Sequence, residues 1–343
     1  MTSGSYGVES PGQEHGIDRP AGMSSAEPAT PGGSCVENRF HHEAVFYSSE
    51  DGFLEATLPL AKDALAAEEP LLVAVGNDKA ELLRRALGRE GSRVSFTDME
   101  LLENPARIIP AWRRFLEDNA SQDRAVRGIG EPIWQGRSPA EVTECERHES
   151  LLNVAFDEGA AWSLHCLYDL DGLDEGVIEA ARHNHPFVGE DGASRASDSY
   201  RCGEVAPGPF GGTLPRPPAG AEELAFAGRT VGWLRQLVSE WALGLGLGYE
   251  RTEQLVLAVT ELASNSVYHG GGAGTLWMWR EQGTLLVEVH DRGHIEEPLI
   301  GRTRPGPEQP TGRGLWVVNH LCDLVQIRSA STGSVVRVHM RLG

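Results

Sequence analysis

The N-terminal half of the chain alternates short apolar runs with longer amphipathic segments. Each apolar run has the length of a buried strand, and each segment between the runs repeats its apolar residues at helical spacing. Strands that alternate with helices in this way predict βαβ units and an α/β domain built on a mainly parallel sheet. The predicted strands are Ala44–Tyr47, Leu71–Val75, Val94–Thr97, Val126–Gly130 and Ala161–Tyr168, and the predicted helices are Gly52–Ala67, Asp78–Arg89, Pro105–Asn119, Pro139–Phe156 and Asp174–Arg182.

The C-terminal half shows a different order of patterns. Two long helical segments come first, and two strands, a polar loop, a short helix and a closing hairpin follow. Helices beside a mostly antiparallel sheet predict an α+β two-layer sandwich. The predicted helices are Ala221–Leu245, Tyr249–Tyr268 and Gly314–Cys322, the predicted strands are Gly274–Arg280, Thr284–His290, Leu324–Ser329 and Ser334–Arg341, and the first two strands are joined by a tight turn at Gln282 and Gly283.

Composition divides the chain into four segments. Residues 1–38 are rich in Ser, Gly, Pro and Glu and lack apolar periodicity, which predicts a disordered tail. Residues 203–218 are rich in Gly and Pro and predict a linker between domains at 39–202 and 219–343. The apolar residues of the helical pattern Ala221–Leu245 fit either core packing or a homodimer surface, and core packing is the simpler interpretation.

Charge and cysteine content limit the function classes. The formal net charge is −20 over 343 residues, and because nucleic-acid binding needs a cationic surface, this argues against nucleic acid as the main partner. No apolar run approaches the roughly 18 residues of a membrane span, and no secretion signal opens the chain, so we expect a cytoplasmic protein. Scattered cysteines without metal-site spacing predict free thiols in a reducing compartment; they are Cys35, Cys145, Cys166, Cys202 and Cys322.

Two segments of the C-terminal half combine residue types that suit a ligand site. Glu261, Asn265 and His269 follow one another at a spacing of four, which places them on one face of a helix. Asp291 comes directly after an apolar strand, where a side chain commonly contacts a ligand, and Gly293 permits close approach to the backbone. Taken singly, a helical Glu is usually a solvated surface residue and an Asp-x-Gly is usually a turn.

A third segment, Gly312-Arg313-Gly314-Leu315, ends the polar loop and opens a helix. Glycines at a helix N-terminus expose backbone N–H groups to an anion, which is a common way to hold a phosphate. A lone Gly-x-Gly is usually a structural bend. The order and placement of all three segments together indicate a nucleotide site.

The three segments resemble the sequence boxes of the GHKL superfamily. Glu261, Asn265 and His269 resemble its N box, Asp291–Gly293 its G1 box and Gly312–Gly314 its G2 box. The resemblance covers 221–343 and implies the Bergerat ATP-binding fold. Within the superfamily, the run AVTELASNSVYHGG is most similar to the bacterial anti-sigma-factor serine kinases.

This resemblance implies ATP and Mg²⁺ as cofactors. It implies that Asn265 holds Mg²⁺, that Glu261 is the general base for a serine hydroxyl, and that Asp291 accepts a hydrogen bond from the adenine amino group. A carboxylate one helical turn from a metal ligand suits the role of base, because the remaining catalysis is positioning and charge neutralisation. The other implied nucleotide contacts are His269, Gly293, Gly312, Arg313, Gly314, Leu315 and Ser334.

Two features depart from the fuller pattern of sensor kinases. His294 stands where many of those enzymes have a second glycine, which favours the anti-sigma branch. The lid at 294–311 has four prolines and no second phosphate box, so nucleotide binding without phosphotransfer stays open. A histidine kinase would need a phosphoacceptor on a helical hairpin, and we interpret His148-Glu149 as ordinary helix surface inside the α/β half.

The N-terminal half resembles the MEDS family (methanogen/methylotroph, DcmR sensory) over about 39–200. The resemblance implies a RecA-like α/β fold that senses a small molecule. No G-x-x-x-x-G-K-[ST] motif is present, so ATP binding by this half is not expected. The segments that carry the resemblance are FHHEAVFYSSEDGFLEATLPLAKDAL, DME…NPARIIPAWRRFLED, HESLLNVAF and ARHNHPFV…SDSY.

Candidate ligand residues of this half lie near predicted strand ends, where open α/β sheets bind their ligands. Glu131 and Trp134 directly follow a strand and are the strongest pair. Each histidine also has an ordinary structural explanation, and the spacing of His41, His42, His183 and His185 matches no standard metal site. The candidates are His42, Tyr47, Glu131, Trp134, Asp169 and His185.

The two resemblances together imply a one-component switch. The first half would bind an unknown small-molecule signal, and the second would phosphorylate a serine of a STAS-type anti-sigma-factor antagonist or bind a sigma factor. Two alternatives stay open: a nucleotide-binding but non-catalytic partner-binding module, and an orphan histidine-kinase-like regulator. A fold alone does not choose among them.

Overall fold

Two sheets organise the protein, one in each half of the chain. The computed structural model describes residues 40–121, 124–157, 161–190, 192–201, 210–306 and 312–343. The predicted disordered tail at 1–38 lies outside the described residues. Among the described residues, no helix combines the length and apolar character that a membrane span requires.

The N-terminal half contains a seven-stranded sheet with five helices. Its strands are Phe40–Tyr47 (β1), Leu71–Val75 (β2), Ser95–Asp98 (β3), Val126–Gly130 (β4), Trp162–Asp169 (β5), Phe187–Glu190 (β6) and Ala193–Ala196 (β7). Its helices are Ser49–Ala66 (α1), Asn77–Leu87 (α2), Ile108–Asn119 (α3), Pro139–Ala155 (α4) and Glu175–Asn184 (α5). The strand order is β3-β2-β4-β5-β1-β6-β7, and every pairing is parallel except that of β6 with β7.

Alternation along the strands gives this sheet two buried faces. On β1, Ala44 packs into the core shared with α3, α4 and α5, whereas Val45 packs into the core shared with α1 and α2. Because both faces are covered, the central strands are apolar on both sides, as parallel sheets usually are. The predicted α/β architecture is confirmed. Strands β6 and β7 extend it beyond the five predicted strands.

The C-terminal half forms a five-stranded antiparallel sheet with three helices. Its strands are Glu222–Ala227 (β8), Ala273–Glu281 (β9), Thr284–Asp291 (β10), Leu324–Ala330 (β11) and Gly333–Arg341 (β12), and its helices are Val231–Gly244 (α6), Tyr249–Tyr268 (α7) and Arg313–Leu321 (α8). The strand order is β11-β12-β10-β9-β8. The helices share one apolar core with one face of this sheet. The predicted α+β two-layer sandwich is confirmed.

The predicted turn between β9 and β10 also forms. Gln282 and Gly283 both have positive φ, at 44° and 80°. This is the backbone of a tight hairpin turn, whose twist matches that of the flanking strands. Glu281 pairs directly with Thr284 on either side of it.

The prediction of one helix over Ala221–Leu245 was wrong at its start. Residues Glu222–Ala227 form the edge strand β8, which pairs with β9, and the helix begins only at Val231. Phe226 is buried in the core while its neighbours on the strand are exposed, so pairing with β9 overrides a local preference for helix. Trp233 of α6 is half exposed and is not a core residue.

The interpretation of His148-Glu149 as helix surface was also wrong. Both side chains are completely buried in α4. One side of α4 packs on the N-terminal sheet through Leu151 and Leu152, and Glu144 of the same helix contacts the C-terminal sheet. Because α4 is covered on two sides, little of its surface is exposed. Polar residues in its sequence therefore do not identify a solvent-exposed face.

The two halves meet on the face of the C-terminal sheet that its own helices leave uncovered. Arg328 of β11 donates a hydrogen bond to Glu144, at 2.7 Å, and both side chains are buried. Arg341 of β12 donates to Glu141, at 2.5 Å. These ion pairs join α4 directly to the second sheet.

Part of the predicted linker also packs on the C-terminal half. Phe210 lies in its apolar core, and its carbonyl accepts a hydrogen bond from Ser329 N, at 2.9 Å. The Pro215 carbonyl accepts one from Arg337, on the opposite face of the sheet. Residues 202–209 lie outside the described residues, and the linker boundaries 203–218 stay a prediction.

Between the halves lies a cleft of about 1200 Å³. Trp134 and Arg137 line one wall, with the Arg137 guanidinium stacked 3.7 Å from the Trp134 ring. His339 and Arg337 of β12 line the other. Burial, together with the positive charge of Arg337, lowers the pKa of His339 to about 4.

This pKa predicts a loss of stability in mild acid. The His339 imidazole is neutral in the folded protein down to about pH 4, whereas in the unfolded chain it takes up a proton near pH 6.5. The contribution of the neutral His339 imidazole to the free energy of unfolding is therefore complete above pH 6.5, and it is lost as the pH falls toward about 4. We expect His339→Gln, which can keep a hydrogen bond to Gln326, to flatten the fall in unfolding free energy over this range, measured by urea denaturation. An unchanged slope would show that His339 is readily protonated in the fold.

Candidate functional site

The C-terminal end of α7 supplies the first wall of the site. Glu261 and Asn265 are both partly buried and lie one turn apart on this helix. The helix ends at Tyr268, and His269 is its C-cap residue, exposed, with its backbone N–H donated to the Asn265 carbonyl at 2.7 Å. The predicted helical face of Glu261, Asn265 and His269 therefore extends one residue past the end of the regular helix.

The N-terminus of α8 packs directly against these side chains. A Cβ atom placed on Gly314 would lie 2.8 Å from Glu261 Oε2 and 3.1 Å from Asn265 Nδ2, so a larger residue would have to displace these two side chains. Gly312 is the N-cap, with a φ of 84° in the left-handed region, a conformation that glycine adopts without strain. The N box and the G2 box, which are remote in sequence, are therefore in contact.

Asp291, at the end of β10, is held by three hydrogen bonds. Its Oδ1 accepts from the Ser334 hydroxyl at 2.7 Å and from the Gly293 N–H at 2.8 Å. Its Oδ2 accepts from the Ser266 hydroxyl at 2.6 Å. These donors fix the carboxylate, and Oδ2 keeps acceptor capacity for a ligand. Ser266 was not among the predicted residues, although its place next to Asn265 was a signal that could have found it.

Two further glycines let the backbone close around Asp291. A Cβ on Gly270 would lie 2.4 Å from the Asp291 carboxyl carbon, and a Cβ on Gly333 would lie 2.2 Å from the Asp291 carbonyl oxygen. A Cβ on Gly293 would lie 2.9 Å from the His269 carbonyl oxygen. Gly270 and Gly333 were not predicted as site residues, because only tertiary contact shows that each must lack a side chain.

The remaining predicted residues belong to α8. Leu315 is buried in the core and anchors the helix, whereas Arg313 is exposed at its start. The first backbone N–H groups of a helix lack partners within the helix and attract anions. A carboxylate and a carboxamide beside such an N-terminus suit a polyphosphate bridged by a hard cation, which prefers oxygen ligands. The residues present therefore fit Mg²⁺ and a nucleoside triphosphate.

The C-terminus of α8 is held by the N-terminal half. Asn104 Nδ2 and Arg107 Nε each donate a hydrogen bond to the Asn319 carbonyl, both at 2.9 Å. Arg107 Nη2 donates to the Cys322 carbonyl at 2.8 Å. Carbonyl groups at a helix C-terminus otherwise lack hydrogen-bond partners, and a cation there also interacts favourably with the negative end of the helix dipole.

The segment that leads into the predicted lid contacts the N-terminal half as well. Leu299 packs on the N-terminal core. Arg113 donates a hydrogen bond to the Thr303 hydroxyl at 2.9 Å, and the Arg302 side chain is buried. Residues 307–311 of the predicted lid lie outside the described residues.

The candidate sensory residues separate into three places. Tyr47, Glu131 and Asp169 lie together where β1, β4 and β5 end. The Tyr47 hydroxyl donates a hydrogen bond to Glu131 Oε1 at 2.6 Å. Lys79 Nζ donates to the Tyr47 hydroxyl oxygen and to Glu131 Oε1, both at 2.6 Å. Burial, with the negative charge of Glu131, raises the pKa of Tyr47 well above its usual value. Lys79, on α2, was not predicted, since an isolated helical lysine carries no sequence signal.

His42 and His185 lie elsewhere, in the core between the sheet and α4. Their rings are 4.1 Å apart, and both are completely buried. Trp134 is in the third place, the cleft between the halves. The structure therefore brings the six candidates together only in part, because alternate residues of a strand face opposite sides of the sheet.

Comparison with known proteins agrees with both halves of the fold. Residues 41–186 match the family model of MEDS, the MEthanogen/methylotroph, DcmR Sensory domain. Residues 225–340 match the model of the histidine kinase-like ATPase domain. No curated protein matches the chain.

Among solved structures, the RsbU and RsbW domains of Rv1364c from Mycobacterium tuberculosis match at 18% identity with a TM-score of 0.27. The match covers 35% of this chain and 32% of that chain. The two matches follow chain order, the first ending just before β6 and the second beginning within β8. The N-terminal half is therefore similar to the MEDS sensory domain over 41–186, and the C-terminal half is similar to the histidine kinase-like ATPase domain over 225–340.

Proposed function

We propose that the protein is a signal-responsive, ATP-dependent protein-serine kinase of the anti-sigma type. The observation that carries the proposal is the contact of Gly314 with Glu261 and Asn265. It sets a candidate base and a candidate metal ligand beside a helix N-terminus suited to phosphate. The match to a histidine kinase-like ATPase domain supports ATP as the nucleotide.

Each site residue has a role in this proposal. Asn265 holds Mg²⁺, which would neutralise phosphate charge when bound. Asp291, fixed by Ser334 and Ser266, accepts a hydrogen bond from the adenine amino group. The backbone of Gly312–Gly314 surrounds the phosphates, and His269, Gly293, Arg313 and Leu315 complete the nucleotide contacts. This arrangement uses positioning and electrostatics, which dominate phosphoryl transfer.

Glu261 acts as the base in the transfer step. A serine hydroxyl oxygen of the partner protein forms a bond to the γ-phosphorus as the bond to the ADP oxygen breaks. The hydroxyl proton passes to the Glu261 carboxylate. The sequence resemblance to anti-sigma-factor kinases indicates a STAS-type antagonist as the acceptor and a sigma factor as a further partner.

We assign the sensory domain to 39–202 and the ATP-binding domain to 219–343, joined by the linker 203–218. The small-molecule site is the group of Tyr47, Glu131 and Asp169 with Lys79, at the strand ends where α/β sheets bind ligands. A ligand there would alter hydrogen bonds on the N-terminal sheet.

Helix α8 carries the signal from one domain to the other. Its C-terminus is gripped by Asn104 and Arg107 of the sensory half, and its N-terminus touches Glu261 and Asn265. A shift of the sensory half would move the phosphate end of α8. Coupling between sites requires such an element with two arrangements.

The first prediction concerns nucleotide binding by the full chain. Removal of the metal ligand in Asn265→Ala is expected to weaken Mg-ATP binding about 10- to 100-fold, in line with the loss of one charge-assisted contact. Isothermal calorimetry measures the affinity, and Asn119→Ala, which changes the same residue type at the end of α3, is the control. A wild-type chain that binds no Mg-ATP would overturn the proposal.

The second prediction separates catalysis from binding. Glu261→Gln is expected to bind Mg-ATP with nearly wild-type affinity but to transfer labelled γ-phosphate to STAS-type antagonists about 10²- to 10⁴-fold more slowly, the usual contribution of a general base. Glu253→Gln, exposed on the same helix, is the control. Mg-ATP binding without any transfer by the wild type would instead identify a non-catalytic partner-binding module.

The third prediction tests the route through α8. Arg107→Ala removes two hydrogen bonds to the end of this helix and is expected to weaken Mg-ATP binding about fivefold or more, the usual range of coupling between sites. Arg85→Ala, exposed on α2, is the control, and circular dichroism checks the fold of both variants. Equal Mg-ATP affinities of the two variants would exclude α8 as the route.

A further inference from the structure

Four potential metal ligands converge in the buried core of the sensory half. They are His42 on β1, Glu149 on α4, Cys166 on β5 and His185 after α5. One ligand atom from each lies within 4.8 Å of all the others, and the side chains are buried. The four residues are far apart in sequence, which is why no spacing motif revealed them.

The outer hydrogen bonds fix the tautomer of both histidines. Asn153 Nδ2 donates to the Asn184 carbonyl at 2.8 Å, so its Oδ1 faces His42 and accepts from His42 Nδ1 at 3.0 Å. His185 Nδ1 donates to the Ala181 carbonyl at 2.7 Å. Each neutral imidazole therefore has its proton on Nδ1 and a lone pair on Nε2.

Both lone pairs point at one carboxylate oxygen. Glu149 Oε2 is 3.2 Å from His42 Nε2 and 3.0 Å from His185 Nε2. Two acceptor nitrogens and an anionic oxygen repel one another unless protons or a cation lie between them. The group is shielded from solvent, and both Glu149 carboxylate oxygens and His185 Nε2 are buried without a hydrogen-bond partner.

We propose that His42, Glu149, Cys166 and His185 form a tetrahedral site for a divalent transition metal, with Zn²⁺ as the best match. Bond lengths of about 2.0–2.3 Å to zinc require ligand atoms roughly 3.3–3.7 Å apart in a tetrahedron. The two distances to Glu149 Oε2 are close to this range, and Cys166 Sγ is 3.4 Å from His42 Nε2. These three pairs are close to the spacing of an occupied site, and the remaining pairs, which lie within 4.8 Å, would come into range by small side-chain shifts.

The ligand set selects the class of metal. Two imidazoles and a thiolate suit zinc and other borderline or soft ions, whereas Mg²⁺ and Ca²⁺ prefer oxygen ligands. Hydrogen bonds from the second ring nitrogen of a histidine to carbonyl oxygens are the usual support of such ligands. A metal binds cysteine as the thiolate, so binding would release the Cys166 thiol proton to solvent.

A metal here would join the sheet to the helix that faces the ATPase domain. Glu149 and Glu144 lie on the same helix, and Glu144 pairs with Arg328 of the second sheet. The site is separate from the nucleotide site and independent of the proposed kinase activity.

The test is metal content of the full chain, expressed in medium supplemented with Zn²⁺ or with Co²⁺ because the site is closed. We expect about one equivalent of metal per chain and, with Co²⁺, tetrahedral d–d bands plus a sulfur-to-cobalt charge-transfer band. Cys166→Ser should abolish the charge-transfer band and most of the bound metal. Cys145→Ser, which changes another buried thiol of the same domain, should keep both.

Further variants test whether other cysteines bind the metal and whether a lost spectrum reflects misfolding. Cys35→Ser/Cys202→Ser should keep the Co²⁺ spectrum, and His185→Gln should lose or shift its d–d bands. If Cys166→Ser fails to fold, the wild-type and His185→Gln spectra decide. A wild-type chain without stoichiometric Zn²⁺ or Co²⁺, or a spectrum unchanged in Cys166→Ser and His185→Gln, would overturn the proposal.

Discussion

The hydrogen bonds from the N-terminal half to the C-terminal end of helix α8 are the constraint on which the geometry of the candidate site depends. Asn104 and Arg107 satisfy carbonyl groups at the C-terminus of this helix, which otherwise lack partners. With that end fixed, Gly314 at the other end lies against Glu261 and Asn265. A nine-residue helix is short enough to move as one body, so its two ends cannot be adjusted independently.

Helix α4 is the second element that both halves share. It lies between two layers: the buried Glu144 pairs with Arg328 of the C-terminal sheet on one side, and the buried Glu149 lies between His42 and His185 on the other. Burial of an ionised group is costly unless it is paired. These contacts therefore specify how α4 is oriented. They also explain why a helix rich in polar residues is a core element rather than a surface one.

Much of the fold followed from local patterns. The helix Tyr249–Tyr268 was predicted to the residue, because its apolar repeat is long and flanked by glycines. The strands on both sides of Gln282-Gly283 followed from alternation and from a turn that needs positive φ. The predicted start of α6 was wrong, because Glu222–Ala227 contains good helix formers and becomes a strand only by pairing with β9.

The sequence by itself determined the two fold classes and the three segments of the proposed nucleotide site, because periodicity, turn residues and short motifs are local properties. Only the tertiary structure decided which distant residues meet. It joined Ser266 and Ser334 at Asp291, and it joined the N-terminal half to α8. It also divided the predicted sensory residues between opposite faces of one sheet and collected Glu149 and Cys166 around two of the histidines. The physical reason is that burial and ligand geometry depend on side chains supplied by separate elements, and sequence spacing does not encode which elements become neighbours.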